Sequence, residues 1–113
     1  MGTFNSLYHT DLCPICNNHH EMEIEFRFGY RNQIHYRLGD KIDWGQDKVV
    51  WEPYYTLGCG IRPENGNYIG EGYVECELCH RDYFVDIIIE NDIIVAVKYR
   101  PDKKGYIPVD TSN

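Results

Sequence analysis

The stretch "CPICNNHH", residues 13 to 20, has a counterpart in "CELCHRDY", residues 76 to 83. Two cysteines separated by two residues can hold one metal ion from a single tight turn, with the backbone amides of that turn donating to the sulfurs. Two such turns supply four thiolates, the full shell of a tetrahedral zinc site with Zn–S bonds of ~2.3 Å. The pairing of Cys13 and Cys16 with Cys76 and Cys79 therefore predicts one structural zinc ion that ties distant parts of the chain together. Iron needs the same four ligands, so the motif alone does not name the metal. Five cysteines is an odd number, which counts against a closed disulfide framework. A thioredoxin-like redox pair would start a helix, and neither pair is followed by a helical pattern.

The rest of the chain reads as strands. Tyrosine, isoleucine and valine favour strands, and the single alanine, Ala96, counts against long helices. In "EMEIEFRFG", Met22, Ile24, Phe26 and Phe28 alternate with Glu21, Glu23, Glu25 and Arg27, the period of a strand with one buried face. "NQIHYRLGDKIDWG" predicts a strand, a turn at Gly39-Asp40 and a short strand. "DKVVWEPYY" predicts another, stopped at Pro53. The five glycines of "GCGIRPENGNYIGEG", residues 58 to 72, predict an irregular loop or loose hairpin. "RDYFVDIIIENDIIVAVKYR" predicts two strands around a tight turn at Asn91-Asp92. Its apolar runs, Ile87 to Ile89 and Ile93 to Val97, predict strands covered on both faces. Residues 101–113 are expected to form a partly flexible tail.

The chain also repeats weakly at an offset of 63. Cys13 and Cys16 fall on Cys76 and Cys79, and Met22, Ile24 and Phe26 fall on Val85, Ile87 and Ile89. Two metal-binding turns placed side by side by a pseudo-twofold would have this form. The expected architecture is a single all-β domain over residues 1–113, mainly antiparallel, with two cysteine knuckles on one metal.

On these residues the chain resembles the zinc-ribbon and rubredoxin-like fold group over 13–30 and 74–99. The resemblance implies Cys13, Cys16, Cys76 and Cys79 as ligands, and Pro14 fits the knuckle pattern. Many knuckles carry glycine after the second cysteine, whereas Asn17 and His80 stand there. Histidine adopts left-handed angles less readily than asparagine, so a distorted second knuckle or a substitute ligand is an open alternative. His19, His20 and His80 read either as exposed polar residues or as groups supporting the sulfurs. Cys59, in "LGCG", reads as a small residue in a glycine loop. His9 and His35 carry no pattern.

The formal charge is −7, which opposes nonspecific binding to nucleic acid or an anionic membrane. No apolar run reaches membrane-spanning length, and the first twenty residues lack a signal peptide's basic start and apolar centre, so the expected location is cytoplasmic. No nucleotide loop, catalytic triad or open metal site is evident, and the expectation is a non-enzymatic module. Glu21, Glu23 and Glu25 form either a solvated face or an acidic surface for a basic partner. Asp40, Asp43, Asp47, Trp44, Trp51, Tyr54 and Tyr55 form either a binding patch or part of a small core. The leading expectation is a protein-interaction module with a basic partner. The stretch "EIEFRFGYRNQIHYRLGDKIDWG" also resembles small bacterial proteins that inhibit secreted toxins, and this implies an immunity role. The alternative is a nucleic-acid-binding zinc ribbon using Arg27, Arg31, Arg37 and Lys41.

Overall fold

The computed structural model describes residues 4–46 and 56–106. The predicted strand at 47–55, with Asp47, Trp51, Tyr54 and Tyr55, lies outside the described residues. Eight strands account for most of the rest: β1 Asn5–Leu12, β2 His19–Phe26, β3 His35–Arg37, β4 Thr56–Leu57, β5 Gly60–Ile61, β6 Tyr68–Glu75, β7 Asp82–Glu90 and β8 Ile93–Lys104. The main sheet has the order β3-β1-β2-β6-β7-β8, and β4 and β5 pair separately. All neighbours in the main sheet are antiparallel except β1 and β3. Among the described residues the only helical element is one short 3-10 turn, Glu64–Gly66, and no helix is long and apolar enough to cross a membrane.

The repeat at 63 residues is carried by the backbone. Shifting Asn5–Leu12 by 63 gives Tyr68–Glu75, which is β6. The same shift takes the β1–β2 register, from Asn5↔Phe26 to Leu12↔His19, onto the β6–β7 register, from Tyr68↔Ile89 to Glu75↔Asp82. Each half is thus one hairpin with a cysteine knuckle at its tip. The halves join along a short ladder between β2 and β6, from Ile24↔Val74 to Phe26↔Gly72.

At the opposite end the sheet curls back on itself. Residues 35–37 pair with β1, and the chain then crosses to the other edge. There the Ile94 backbone N–H donates to the Asp40 carbonyl (3.0 Å), the Gly39 N–H donates to the Ile94 carbonyl (2.8 Å), and Lys41 bridges Ile93. One segment therefore touches both edges and encloses the core. Leu7, Ile24, Phe26, Val74, Ile87, Ile89 and Ile94 are all but fully buried. Burial of each such side chain stabilises by about 1.5–3 kcal/mol. Asn5, also fully buried, pins the segment after β2. Its Nδ2 donates to the Phe28 and Tyr30 carbonyls, and its Oδ1 accepts from the Asn32 and Ile34 N–H groups. All four of its hydrogen-bonding capacities are met, as burial of an amide requires.

Several expectations hold. Met22, Ile24, Phe26 and Phe28 are buried, and the Asn91-Asp92 turn has φ of 51° and 69° at its two residues. Others are corrected. Trp44 is 3% exposed and belongs to the core, its Nε1 donating to Asp92 Oδ1 at 2.8 Å, so it offers no surface to a partner. Residues 68–72 are strand rather than loop. Gly70 and Gly72 sit on the inner face of β6, where opposing side chains leave no room: a Cβ on Gly72 would lie 2.5 Å from Ile24 Cγ2. β8 is not covered on both faces. It lies at the sheet edge, where Ile94 is buried and Val95 is 42% exposed. β8 also continues through Lys104, so residues 101–104 belong to the sheet rather than to a tail. Between Val85↔Tyr99 and Tyr83↔Lys104 the ladder shifts register, with extra residues on β8 that include Pro101, which has no N–H to give a ladder.

The Asn91-Asp92 turn is locked by charge. Arg62 donates to both oxygens of Asp92, at 2.8 and 3.0 Å, and this pair holds the carboxyl below its usual range. A depressed carboxylate contributes stability above its unfolded pKa of ~4 and loses it as pH falls. Asp92→Asn keeps a residue tolerant of positive φ but removes the charge. The variant should melt below wild type at neutral pH, and the gap should close as the pH falls below ~4, read by thermal melts across pH. Gly72→Ala should destabilise by about 1–3 kcal/mol in denaturant titrations through overpacking against Ile24.

Candidate metal centre

Both knuckles cap the same end of the sheet, one between β1 and β2 and the other between β6 and β7. They are built alike. The Cys13 N–H donates to the Asn18 carbonyl (3.0 Å), as the Cys76 N–H donates to the Arg81 carbonyl (2.8 Å). The Asn17 N–H donates to the Cys13 carbonyl (2.8 Å), as the His80 N–H donates to the Cys76 carbonyl (2.8 Å). Each partner in the second knuckle is displaced by 63 from the first. Asn17 and His80 have φ of 62° and 58°. The second knuckle is therefore not distorted: His80 adopts the left-handed angle that the turn demands, at the steric cost glycine would avoid.

The four sulfurs converge. All lie within 4.8 Å of one another, with 3.9 Å between Cys13 and Cys79 and 3.8 Å between Cys16 and Cys76. Exchanging the two halves turns one of these pairs into the other, as a local twofold through the centre requires. A tetrahedron of sulfurs around an ion with bonds of ~2.3 Å has edges of about 3.8 Å. The residues fit a tetrahedral metal ion. Cys13 and Cys76 are buried, Cys16 and Cys79 are half-buried, and none forms a disulfide.

The surrounding groups favour thiolates in part. The Ile15 and Cys16 N–H groups donate to Cys13 Sγ (3.4 and 3.5 Å), and Asn18 Nδ2 donates to Cys16 Sγ (3.4 Å). His20 Nε2 lies 3.3 Å from Cys76 Sγ. Hydrogen bonding by the Asn18 backbone draws the Cys16 thiol down to about 6, whereas burial pushes Cys13 up and Cys79 up to about 12. Four thiolates this close would repel one another, and a cation would remove that conflict. Metal binding and proton release are therefore coupled here.

The structure assigns the remaining candidates unequal places. Of the three nearby histidines, His20 meets a sulfur, while His19 and His80 are exposed at the strand start and knuckle end. Cys59 is 4% exposed and stands apart from the sulfur cluster, on the loop between β4 and β5. Glu21, Glu23 and Glu25 project from the outer sheet face. Glu21 pairs with Arg37 (2.9 Å), Glu23 accepts from Ser6 Oγ (2.6 Å), and Glu25 is half-buried. Asp40 and Asp43 serve turns, accepting from the Arg37 and Gly45 N–H groups at 2.8 Å each. Sequence reasoning missed Glu71, Tyr73 and Glu75, which share the outer face with Glu25. Their alternation with Gly70, Gly72 and Val74 was the available signal, masked by glycines that also mark loops.

Metal analysis of purified variants checks the ligand set. Cys76→Ser should lose bound metal and melt well below wild type, because one thiolate fewer opens the shell. Cys59→Ser should retain the full metal content.

In comparisons with known proteins, the chain matches no family model, no curated protein and no solved structure.

Proposed function

We propose that the chain is a non-enzymatic protein-interaction module, stabilised by one structural zinc ion, that docks on a basic protein partner. The observation that carries this reading is the closed set of four sulfurs at the end of the sheet. Four thiolates fill a tetrahedral shell and leave no position for water or substrate, which suits a structural role rather than a catalytic one. Zinc is redox-inert and meets that role without further chemistry. The net charge of −7 favours encounter with a basic partner. A toxin domain blocked by its immunity protein is the specific form of partnership that the sequence resemblance suggests.

The nucleic-acid reading has less support. Arg37 is paired with Glu21, and Arg27 and Arg31 line the same groove as Glu25 and Glu71. Carboxylates thus interrupt the stretch of positive charge that phosphate binding would use.

The test joins metal analysis to partner capture. Zinc should be present at about one ion per chain. In pull-downs from the native host, with the product of the neighbouring gene as first suspect, wild type should retain a basic protein. Glu21→Lys with Glu25→Lys should slow its association and flatten the salt dependence. Low-salt filter binding of RNA or DNA that is lost in Arg31→Ala would overturn the reading.

A further inference from the structure

The outer sheet face carries a groove with a structural origin. The ladder between β2 and β6 runs only from Phe26↔Gly72 to Ile24↔Val74. Beyond it β2 continues to His19 and β6 to Glu75 with no pairing between them, because each hairpin carries its own knuckle. The gap is a cavity of about 220 Å³ that includes His20, Glu23, Glu25, Glu75 and Glu77. It shares Glu25 and Tyr73 with a second cavity of about 640 Å³, which reaches Phe84, Tyr106 and Leu57. The two cavities adjoin at Glu25 and Tyr73 and together outline a channel, acidic near the sulfur cluster and aromatic away from it.

Three features define what fits. First, β2 from His19 to Glu23 pairs with β1 on one side and makes no ladder with β6 on the other, so a strand edge faces the gap. Second, Glu71, Tyr73 and Glu75 occur at alternate positions of β6, so an extended occupant with side chains at every second residue stays in step with them. Third, the same face already seats two cations of this chain between a ring and a carboxylate. Lys103 Nζ lies 4.2 Å from the Phe84 ring centroid and pairs with Glu71, and the Arg37 guanidinium lies 5.6 Å from the Tyr8 ring centroid and pairs with Glu21. Rings and carboxylates here are spaced for ammonium and guanidinium groups. At the far end Arg27 and Arg31 repel further positive charge. The Tyr73, Phe84 and Tyr106 rings pack together there, with Tyr106 77% exposed, and offer an apolar anchor point.

We propose that this channel seats an extended segment of a basic partner, its cationic side chains over Glu25, Glu75 and Glu77 and an apolar or aromatic side chain on Tyr73 and Tyr106. The proposal rests on the interaction reading above and deepens it by naming the surface and the form of the ligand. Because the acidic end begins at His20, beside Cys76 Sγ, the metal site and the channel share a wall.

A synthetic peptide of sequence arginine–threonine–arginine–threonine–tryptophan, titrated into the zinc-loaded full chain and followed by amide resonance shifts, tests it. The shifts should centre on Glu25, Tyr73 and Glu75. Glu25→Gln with Glu75→Gln, and separately Tyr106→Ala, should each weaken binding about tenfold with unchanged melting temperature. A control peptide with glutamates in place of the arginines should not bind. Shifts that map elsewhere, equal affinity in the variants, or no binding at low salt would overturn the channel. So would binding that emerges only in a chain ended at Tyr106, which would assign the channel to the chain's own C-terminal segment. A basic partner that is captured by wild type and equally by these variants would overturn the channel while leaving the interaction reading intact.

Discussion

The convergence of four cysteine sulfurs is the constraint around which the sheet is arranged. Each knuckle is a tip of one hairpin, and both must present two sulfurs to one point. Ladder pairing between the inner strands of the two hairpins draws them together at their middle. Near the knuckles each strand must instead follow its own turn. The result is a sheet that is joined at Ile24 to Phe26 and Gly72 to Val74 and parted above. A cation held by the four sulfurs would replace the missing ladder as the link between the halves. Repulsion among four thiolates would make that link conditional on the metal.

The far end of the sheet is held by different means. Residues 39–41 cross from the β1 side to β8, and the Asn91-Asp92 turn is clamped by Arg62 and by the Trp44 indole. Asn5 spends all its hydrogen bonds on the segment that makes this crossing possible. The two ends thus differ in kind: one gathers four cysteine sulfurs that could hold a metal ion, the other rests on packed aromatics and a charge-assisted turn. The internal repeat explains the first end alone. The crossing segment and β8 have no counterpart in the other half, and they close the core that the paired hairpins leave open.

The paired hairpins also account for the outer face. Glycines on the inner side of β6 let Ile24 and Phe28 approach closely. The alternate positions of the same strand then carry Glu71, Tyr73 and Glu75 outward. Glycine placement and surface chemistry are consequences of one strand's period.

Much of this was legible in the chain itself. Four cysteines in two spaced pairs name their own partners, because thiolate chemistry and turn size leave few other uses. The alternation of Met22 to Phe28 and the Asn91-Asp92 pair are local signals, decided by side-chain period and backbone sterics within a few residues. Register shift at 63 residues was visible in the ligands and the strands that follow them. Asn5–Leu12, whose own alternation is weak, does not declare itself in the sequence as the counterpart of β6. Tertiary structure alone decided the rest. Trp44 is core because Asp92, 48 residues away, receives its indole N–H. Gly70 and Gly72 are strand because opposing side chains need their space, although glycine by itself permits a loop equally well. β8 buries Ile94 and exposes Val95, and no run of apolar residues states which of a strand's two faces will be covered.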